Sequence, residues 1–327
     1  MSREQTGIKK ELIIKNIFRV KEIGIMIPTI LLIIIVQMVN PLFLTKLNVL
    51  SILRSSGYML IPALGMTLIL ISGGLDLSVG SVYGLGGVVT AYCLTNGLPI
   101  VPSVLLGLLS GMACGILNGV VIVKLKIPPI MMTLGMYYMA RGLVYVITQG
   151  TPIFPLPEAF KAIEQQNIIL GIPTAVVCAM ILAAVFFIIM RYTVYGRKIY
   201  AIGGNIETAR VAGINIDAIM ISLYAIIGTL SALDGILMSS RLGSGQPSAG
   251  TGYELQVIAA VVIGGTSTYG GKGTLAGTVI GVIFMNILSS SMTIMKISAY
   301  WQNFVIGAAL VVAVIIDQIK RSKTAED

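Results

Sequence analysis

Residues 168–190 read Ile168-Ile-Leu-Gly-Ile-Pro-Thr-Ala-Val-Val-Cys-Ala-Met-Ile-Leu-Ala-Ala-Val-Phe-Phe-Ile-Ile-Met190 without a charge, and Arg191 follows at once. About 20 apolar residues are what a helix needs to cross the hydrocarbon core of a bilayer. The pattern recurs along the chain. Its gaps between charges give ten candidate spans: 24–44, 52–72, 78–96, 100–123, 129–148, 168–190, 216–238, 252–266, 275–293 and 299–317. The expected fold class is therefore an all-α polytopic membrane protein with about ten transmembrane helices. The elements at 78–96 and 252–266 are interrupted by glycine or short.

Composition agrees. Of 327 residues, 56% are hydrophobic and 11% charged, whereas soluble domains average about 25% charged residues. The net charge of +9 does not point to nucleic acid, because the positives sit in short clusters between apolar runs rather than in one patch. With ten spans, sixteen of the 22 Lys and Arg fall on the side of both termini and five on the other, with Arg141 inside a span. Positive charge accumulates on the cytoplasmic side, so both termini are expected there. The chain then divides into a basic cytoplasmic segment at 1–23, one transmembrane domain at 24–317 and a cytoplasmic tail at 318–327. The apolar run from Gly24 is too long for a signal-peptide core and lacks a small-x-small cleavage site, so it reads as a retained first span.

Several chemistries are excluded. The chain has no histidine, which removes His triads, HExxH zinc sites and imidazole relays. Cys93, Cys114 and Cys178 are far apart in apolar stretches and form no CxxC pair. No catalytic set and no metal site is expected. The longest stretch between spans, 191–215, is too short for a nucleotide-binding domain.

Glycines carry the next information. Gly107, Gly111, Gly115 and Gly119 recur every four residues, as do Gly273, Gly277 and Gly281. Such stripes let helix backbones approach closely in lipid; a permeation path lined by them is the sharper alternative. Two further segments look alike and begin 191 residues apart: Gly73-Gly-Leu-Asp-Leu-Ser-Val-Gly80 and Gly264-Gly-Thr-Ser-Thr-Tyr-Gly-Gly271. Ser78 and Thr274 are available to cap the helices that follow. Both an interrupted helix at membrane depth and a tight turn between spans fit the spacing.

Away from span ends, Arg141 and Asp234 alone interrupt the apolar runs. An intramembrane charge is a functional candidate by default. Arg141 has a stem long enough to snorkel, and Asp234 is close enough to a span end for a water-filled vestibule. Helix packing and an internal ion pair remain the plainer alternatives. Met131, Met132, Met136, Tyr137, Tyr138 and Met139 cluster on the fifth span, with packing the plain reading and contact with cargo the sharp one.

The segment 191–215 holds a capped helix. Asn205 suits an N-cap, Glu207 falls in the first turn where the dipole favours an acid, Arg210 follows, and Gly213 terminates. The expected helix covers 206–212. It is too short to stand alone, so it is held by packing on its own bundle or on a partner protein. A basic loop on anionic lipid headgroups would account for Arg191, Arg197 and Lys198, but not for the caps.

Several strings occur together and in order: Gly73-Gly-Leu-Asp-Leu-Ser-Val-Gly-Ser81, Thr133-Leu-Gly135, Arg141-Gly142, Tyr200-Ala-Ile-Gly-Gly-Asn205, Ala209-Arg-Val-Ala-Gly-Ile214, Arg241-Leu-Gly-Ser-Gly-Gln-Pro247, Gly252-Tyr-Glu-Leu255, Ile258-Ala-Ala-Val-Val-Ile-Gly-Gly-Thr-Ser267 and Tyr300-Trp-Gln302. Over residues 50–317 the chain resembles the permease subunit of bacterial ATP-binding-cassette (ABC) importers for monosaccharides, of the ribose/xylose/galactose type. The resemblance implies a multi-pass protein of the bacterial cytoplasmic membrane. It implies a second permease copy in a homodimer or heterodimer, a cytoplasmic ABC ATPase that binds ATP and Mg, and an extracytoplasmic sugar-binding protein. No cofactor is expected in this chain, and its partners include membrane lipids but no nucleic acid.

By the same resemblance the ATPase-coupling helix is 205–213, with Asn205, Glu207, Ala209, Arg210 and Gly213. Candidate pathway or gate residues are Asp76, Ser78, Arg141, Asp234, Gln256, Thr266 and Ser267; candidate contacts for the binding protein are Arg241, Gln246 and Glu254. The chain departs from the family pattern at Asp234, Gln256, Thr268 and 286–295, which bears on which sugar is carried. The alternatives are an importer permease for nucleosides or branched-chain amino acids, and a stand-alone secondary carrier or channel.

Overall fold

The computed structural model describes residues 23–166 and 171–326. Residues 1–22 of the expected basic segment, and the start of the run at 168, lie outside them. The described residues form thirteen helices: α1 (Ile23–Val39), α2 (Lys46–Ile71), α3 (Val79–Thr95), α4 (Ile100–Leu125), α5 (Pro129–Thr148), α6 (Glu158–Gln165), α7 (Thr174–Tyr192), α8 (Val194–Gly204), α9 (Ile206–Val211), α10 (Ile216–Leu242), α11 (Tyr253–Ile263), α12 (Leu275–Ile294) and α13 (Ala299–Glu326). The chain is an all-α polytopic membrane protein.

Each of the ten apolar segments is a helix, and seven are long and apolar enough to cross a bilayer alone. Gly24–Val39, Val79–Thr95 and Tyr253–Ile263 are shorter. Some bounds differ from expectation. α2 begins at Lys46, so Arg54 lies inside it; α10 runs on to Leu242; α13 continues through the residues expected to form the tail. Two helices were not expected. α6 is short and amphipathic, and α8 occupies what reads as loop, capped by the Thr193 hydroxyl, which accepts the Gly196 N–H.

Hereafter the loop face is the face that bears residues 191–215, and the opposite one is the far face. α10 is the central post. The glycine stripe of α4 lies against it, backbone to backbone: a Cβ on Gly115 or Gly111 would overlap Tyr224 O or Gly228 O. Gly277 and Gly281 do the same against Gly264 O and Ala260 O of α11. Both stripes are therefore packing seams, and neither lines an opening. Without an apolar driving force between helices in lipid, this close fit is what holds them.

α3 and α11 are half-helices. At 1.5 Å per residue they are roughly 26 and 17 Å long, short of the ~30 Å core. Each is preceded by irregular chain, 72–78 and 243–252. α3 rises towards the far face and α11 descends towards the loop face, and their N-termini abut. Gly80 and Gly250 touch so closely that a Cβ on either would overlap the carbonyl of the other. The second Gly-Gly segment, by contrast, is a tight turn between α11 and α12 at the loop face.

Candidate functional site

The junction of the half-helices is held by charge. Arg141, 8% exposed on α5, donates from Nη1 to Pro247 O (2.9 Å) and Ala249 O (2.8 Å) and from Nη2 to Gly80 O (3.3 Å). It neither snorkels nor pairs with Asp234. Its planar fork reaches three carbonyls of two segments at once, pinning the 243–252 chain onto α3. Glu254, in the first turn of α11, is buried at this junction with Oε2 unpartnered. That burial removes it from any surface where a second protein docks.

The first irregular segment is held from within. Asp76, fully buried, accepts from the backbone N–H (2.7 Å) and hydroxyl (2.6 Å) of Ser78, whose Oγ also accepts from Asn118 Nδ2 (3.1 Å). Tyr224 donates to Leu75 O at 3.2 Å. Ser78 occupies the N-cap position of α3 but makes no side-chain cap bond, because its hydroxyl is committed to Asp76. Thr274 does cap α12, accepting from Gly277 N. Asp76 and Ser78 therefore brace the backbone.

Beside this junction is a cavity of about 410 Å³ walled by Tyr58, Tyr83, Tyr253, Gln256, Asn286 and Gln302, with Arg241 on its rim. Tyr83 and Tyr253 pack with centroids 5.1 Å apart, and the Arg241 guanidinium lies 5.5 Å from the Tyr58 ring centre. Asp234 is 0% exposed behind this wall and accepts from the Tyr253 hydroxyl at 2.8 Å; no vestibule reaches it. Of the expected site residues, Gln256 and Arg241 line the cavity. Thr266 and Ser267 lie in the loop-face turn, where Ser267 donates to Asp317 at 3.1 Å, and Gln246 bonds to Ser244. On α5, Met131, Tyr138 and Met139 are exposed and Met136 is core; none lines the cavity.

Tyr58, Tyr83 and Asn286 were missed as cavity residues. A tyrosine in an apolar run has no local signal that separates a packed ring from a cavity wall, and Asn286 falls in the stretch 286–295, which the sequence marks only as a departure from the family pattern.

The far-face end is clamped by α6. Ser240 donates to Phe160 O (2.7 Å), Gln165 to Arg241 O (3.0 Å), and Ile153 pairs with Gly245. Burial pushes the Glu164 carboxyl above the ordinary range, while the Tyr58 hydroxyl, donating to it at 2.7 Å, acts in the opposite sense.

At the loop face α9 is built as the sequence indicates. Asn205 Oδ1 accepts from Thr208 N (2.9 Å), and Arg210 Nη1 reaches both Glu207 oxygens (2.8 and 2.9 Å). Gly213 takes φ +76°, a left-handed conformation that favours glycine. The helix ends at Val211, one residue early, with Ala212 as its C-cap. Ala209 is buried, while Ile206 and Val211 (89%) are exposed. α9 follows α8 directly, and α8 is locked to the bundle. Gly203 lies against Ile71 O and Gly271 N with no room for a Cβ; Gly271 N donates to Ile71 O (2.8 Å) and Tyr200 to Gly273 O (2.8 Å). Chain from α2, α8 and the α11–α12 turn thus meets at one node.

Residues 48–314 match the family described as "Branched-chain amino acid transport system / permease component". The chain is 36% identical over 301 residues to the ribose import permease protein of Bacillus subtilis, covering 92% of this chain and 94% of that one. It is 40% identical over 300 residues to the ribose import permease protein of Haemophilus influenzae (91% and 93%). It is 33% identical over 297 residues to the autoinducer 2 import system permease protein of Photorhabdus luminescens (91% and 89%). No solved structure matches it.

Proposed function

We propose a function from one premise: this chain belongs to the permease-component family of ABC importers. It is a transport subunit rather than an enzyme. The cargo is a monosaccharide, delivered by an extracytoplasmic binding protein and moved across the bacterial cytoplasmic membrane by ATP hydrolysis in a separate, Mg-dependent ATPase. The ten apolar helices, half-helices included, cross with both termini and the loop face cytoplasmic, in keeping with sixteen of the 22 basic residues on that side. A second permease copy completes the pore.

The observation that carries this reading is α9. A six-residue helix cannot stabilise itself, yet this one is capped at both ends, exposes Ile206 and Val211, and is joined without slack to the node at Gly203. That is the form of a lever worked by a partner. Asn205, Glu207, Ala209, Arg210 and Gly213 build it. A stand-alone carrier has no use for it. Closure of the ATPases would move α9, and α8 would carry that displacement to the ends of α2 and α11, shifting the balance between inward-open and outward-open forms.

For the cargo, tyrosine faces can stack on the apolar face of a sugar ring, while Gln256, Asn286 and Gln302 offer amides to its hydroxyls. The ribose relatives support the same class. An amino acid, named in the family description, carries an ammonium that calls for an acid, and among the described lining residues there is none. In this reading Gln256 serves the pathway, and Arg241 and Gln246 serve as contacts for the binding protein.

The test is purification of the tagged chain from native membranes beside Glu207→Ala/Arg210→Ala. Co-purification of an ABC ATPase, lost in the double variant with the permease still monodisperse, is the expected result. Uptake into vesicles holding this chain alone, driven by an ion gradient, would overturn the reading.

A further inference from the structure

A second cavity, about 340 Å³, opens between the loop-face ends of α7 and α12. Phe187, Met190, Leu275 and Ala276 form its apolar wall, Tyr200 closes its end, and Arg191 stands at the rim. The guanidinium of Arg191 is held in place by aromatic rings, 5.9 Å from the Phe187 centroid and 5.8 Å from that of Tyr192. Among the described residues no carboxylate lies within ion-pair distance of it. Arg197 and Lys198 follow on α8. On the other side the wall continues into the exposed apolar face of α7, with Met180, Ile181 and Ile188, a surface that suits acyl chains.

This combination selects its occupant. Water satisfies the guanidinium but not the apolar wall, and a free anion does likewise. An amphiphile at the interface satisfies both. We propose that this cavity binds an anionic phospholipid of the adjoining leaflet, its phosphate on Arg191 and the first carbons of its chains along Phe187, Met190 and Leu275. Basic pockets between transmembrane helices hold such headgroups, and a planar guanidinium suits bidentate phosphate contact. A zwitterionic headgroup brings its ammonium close to the Arg191 guanidinium and is disfavoured. The lipid lies against Tyr200, whose hydroxyl joins α8 to Gly273 O. Occupancy therefore stiffens the joint between α8 and the bundle. The site stands independently of the cargo assignment.

Native mass spectrometry of the purified full-length chain tests it, titrated with phosphatidylglycerol or with phosphatidylethanolamine of matched chains. The wild-type chain is expected to retain one phosphatidylglycerol at least tenfold more strongly than phosphatidylethanolamine. Arg191→Gln is expected to abolish that preference, and Ala276→Trp, which fills the cavity and leaves every cation in place, to lower retention of phosphatidylglycerol tenfold. Both variants are checked for unchanged elution. Equal retention of the two lipids by the wild type, or an unchanged preference in Arg191→Gln, overturns the proposal.

Discussion

The segments that begin Gly73-Gly74 and Gly264-Gly265 look alike in sequence and end in opposite structural roles. The first leaves α2 at the loop face, turns at Gly73 and enters the bundle as irregular chain before α3 starts. The second turns within a few residues at the loop face and starts α12 there. Burial and anchoring separate them. In the first, Asp76 is fully buried and folds the chain about itself through Ser78, with Asn118 and Tyr224 from neighbouring helices. In the second, the acid that organises the turn is Asp317 from α13, half-exposed, accepting from Ser267 Oγ and Thr268 N at 3.1 Å. The true counterpart of the first segment is 243–252, which no Gly-Gly pair announces and which depends on Arg141. A glycine pair licenses a departure from helix; a buried charge decides how deep the departure goes.

Removing that charge gives the largest expected effect. Arg141→Met strands the Pro247 and Ala249 carbonyls and takes a second donor from Gly80 O, and is expected to cost on the order of 4 kcal/mol, since each orphaned group costs about 1–3 kcal/mol. The measurement is thermal unfolding of the purified chain, and a loss below 1 kcal/mol would erase the distinction between the two kinds of segment. Close approach comes next. Gly80→Ala drives a methyl into Gly250 O and should cost about 3 kcal/mol. Gly265→Ala has open space and only its φ of +89° to resist, so about 1 kcal/mol follows. Equal losses would mean that the half-helix contact is no tighter than a turn.

The two acids sharpen the contrast further. Asp76→Asn should cost about 2 kcal/mol, because charge-assisted bonds in a buried site are lost. Asp317→Asn, half-exposed, should stay below about 1 kcal/mol on the same scale. Chemical-denaturant midpoints on matched preparations compare them directly.

The smallest effect concerns the clamp over 243–252. Burial raises the folded pKa of Glu164 above the unfolded value of about 4.3. Its contribution is therefore fully present below the unfolded pKa and is lost as pH rises through the folded one. Glu164→Gln should flatten that fall in stability as pH rises above the unfolded value. An identical pH profile in the variant would place the ionisation elsewhere.

The apolar segments were legible because charge gaps report span length directly, and the caps at Asn205 and Thr274 because they are local. Arg141 shows where legibility stops. Its charge marked it as special, but its acceptors lie 61, 106 and 108 residues away, and no pattern around it names them. Asp234 similarly needs Tyr253 to explain it. α8 was hidden because Tyr, Gly, Arg and Lys within a dozen residues resemble loop, and its stability comes from packing Ile199 and Ile202 under the bundle. The cavity wall was the least legible part, since it is assembled from six helices.

The seam between α4 and α10 has a consequence for biogenesis. α4 is complete at Leu125 and α10 only at Leu242, and a ribosome adds roughly 5–20 residues each second. For a time on the order of ten seconds by that rate, the glycine face of α4 stands in the bilayer with lipid tails in place of its mate. The centre of this protein is thus among the last parts to close, on a schedule set by translation rather than by diffusion of the chain.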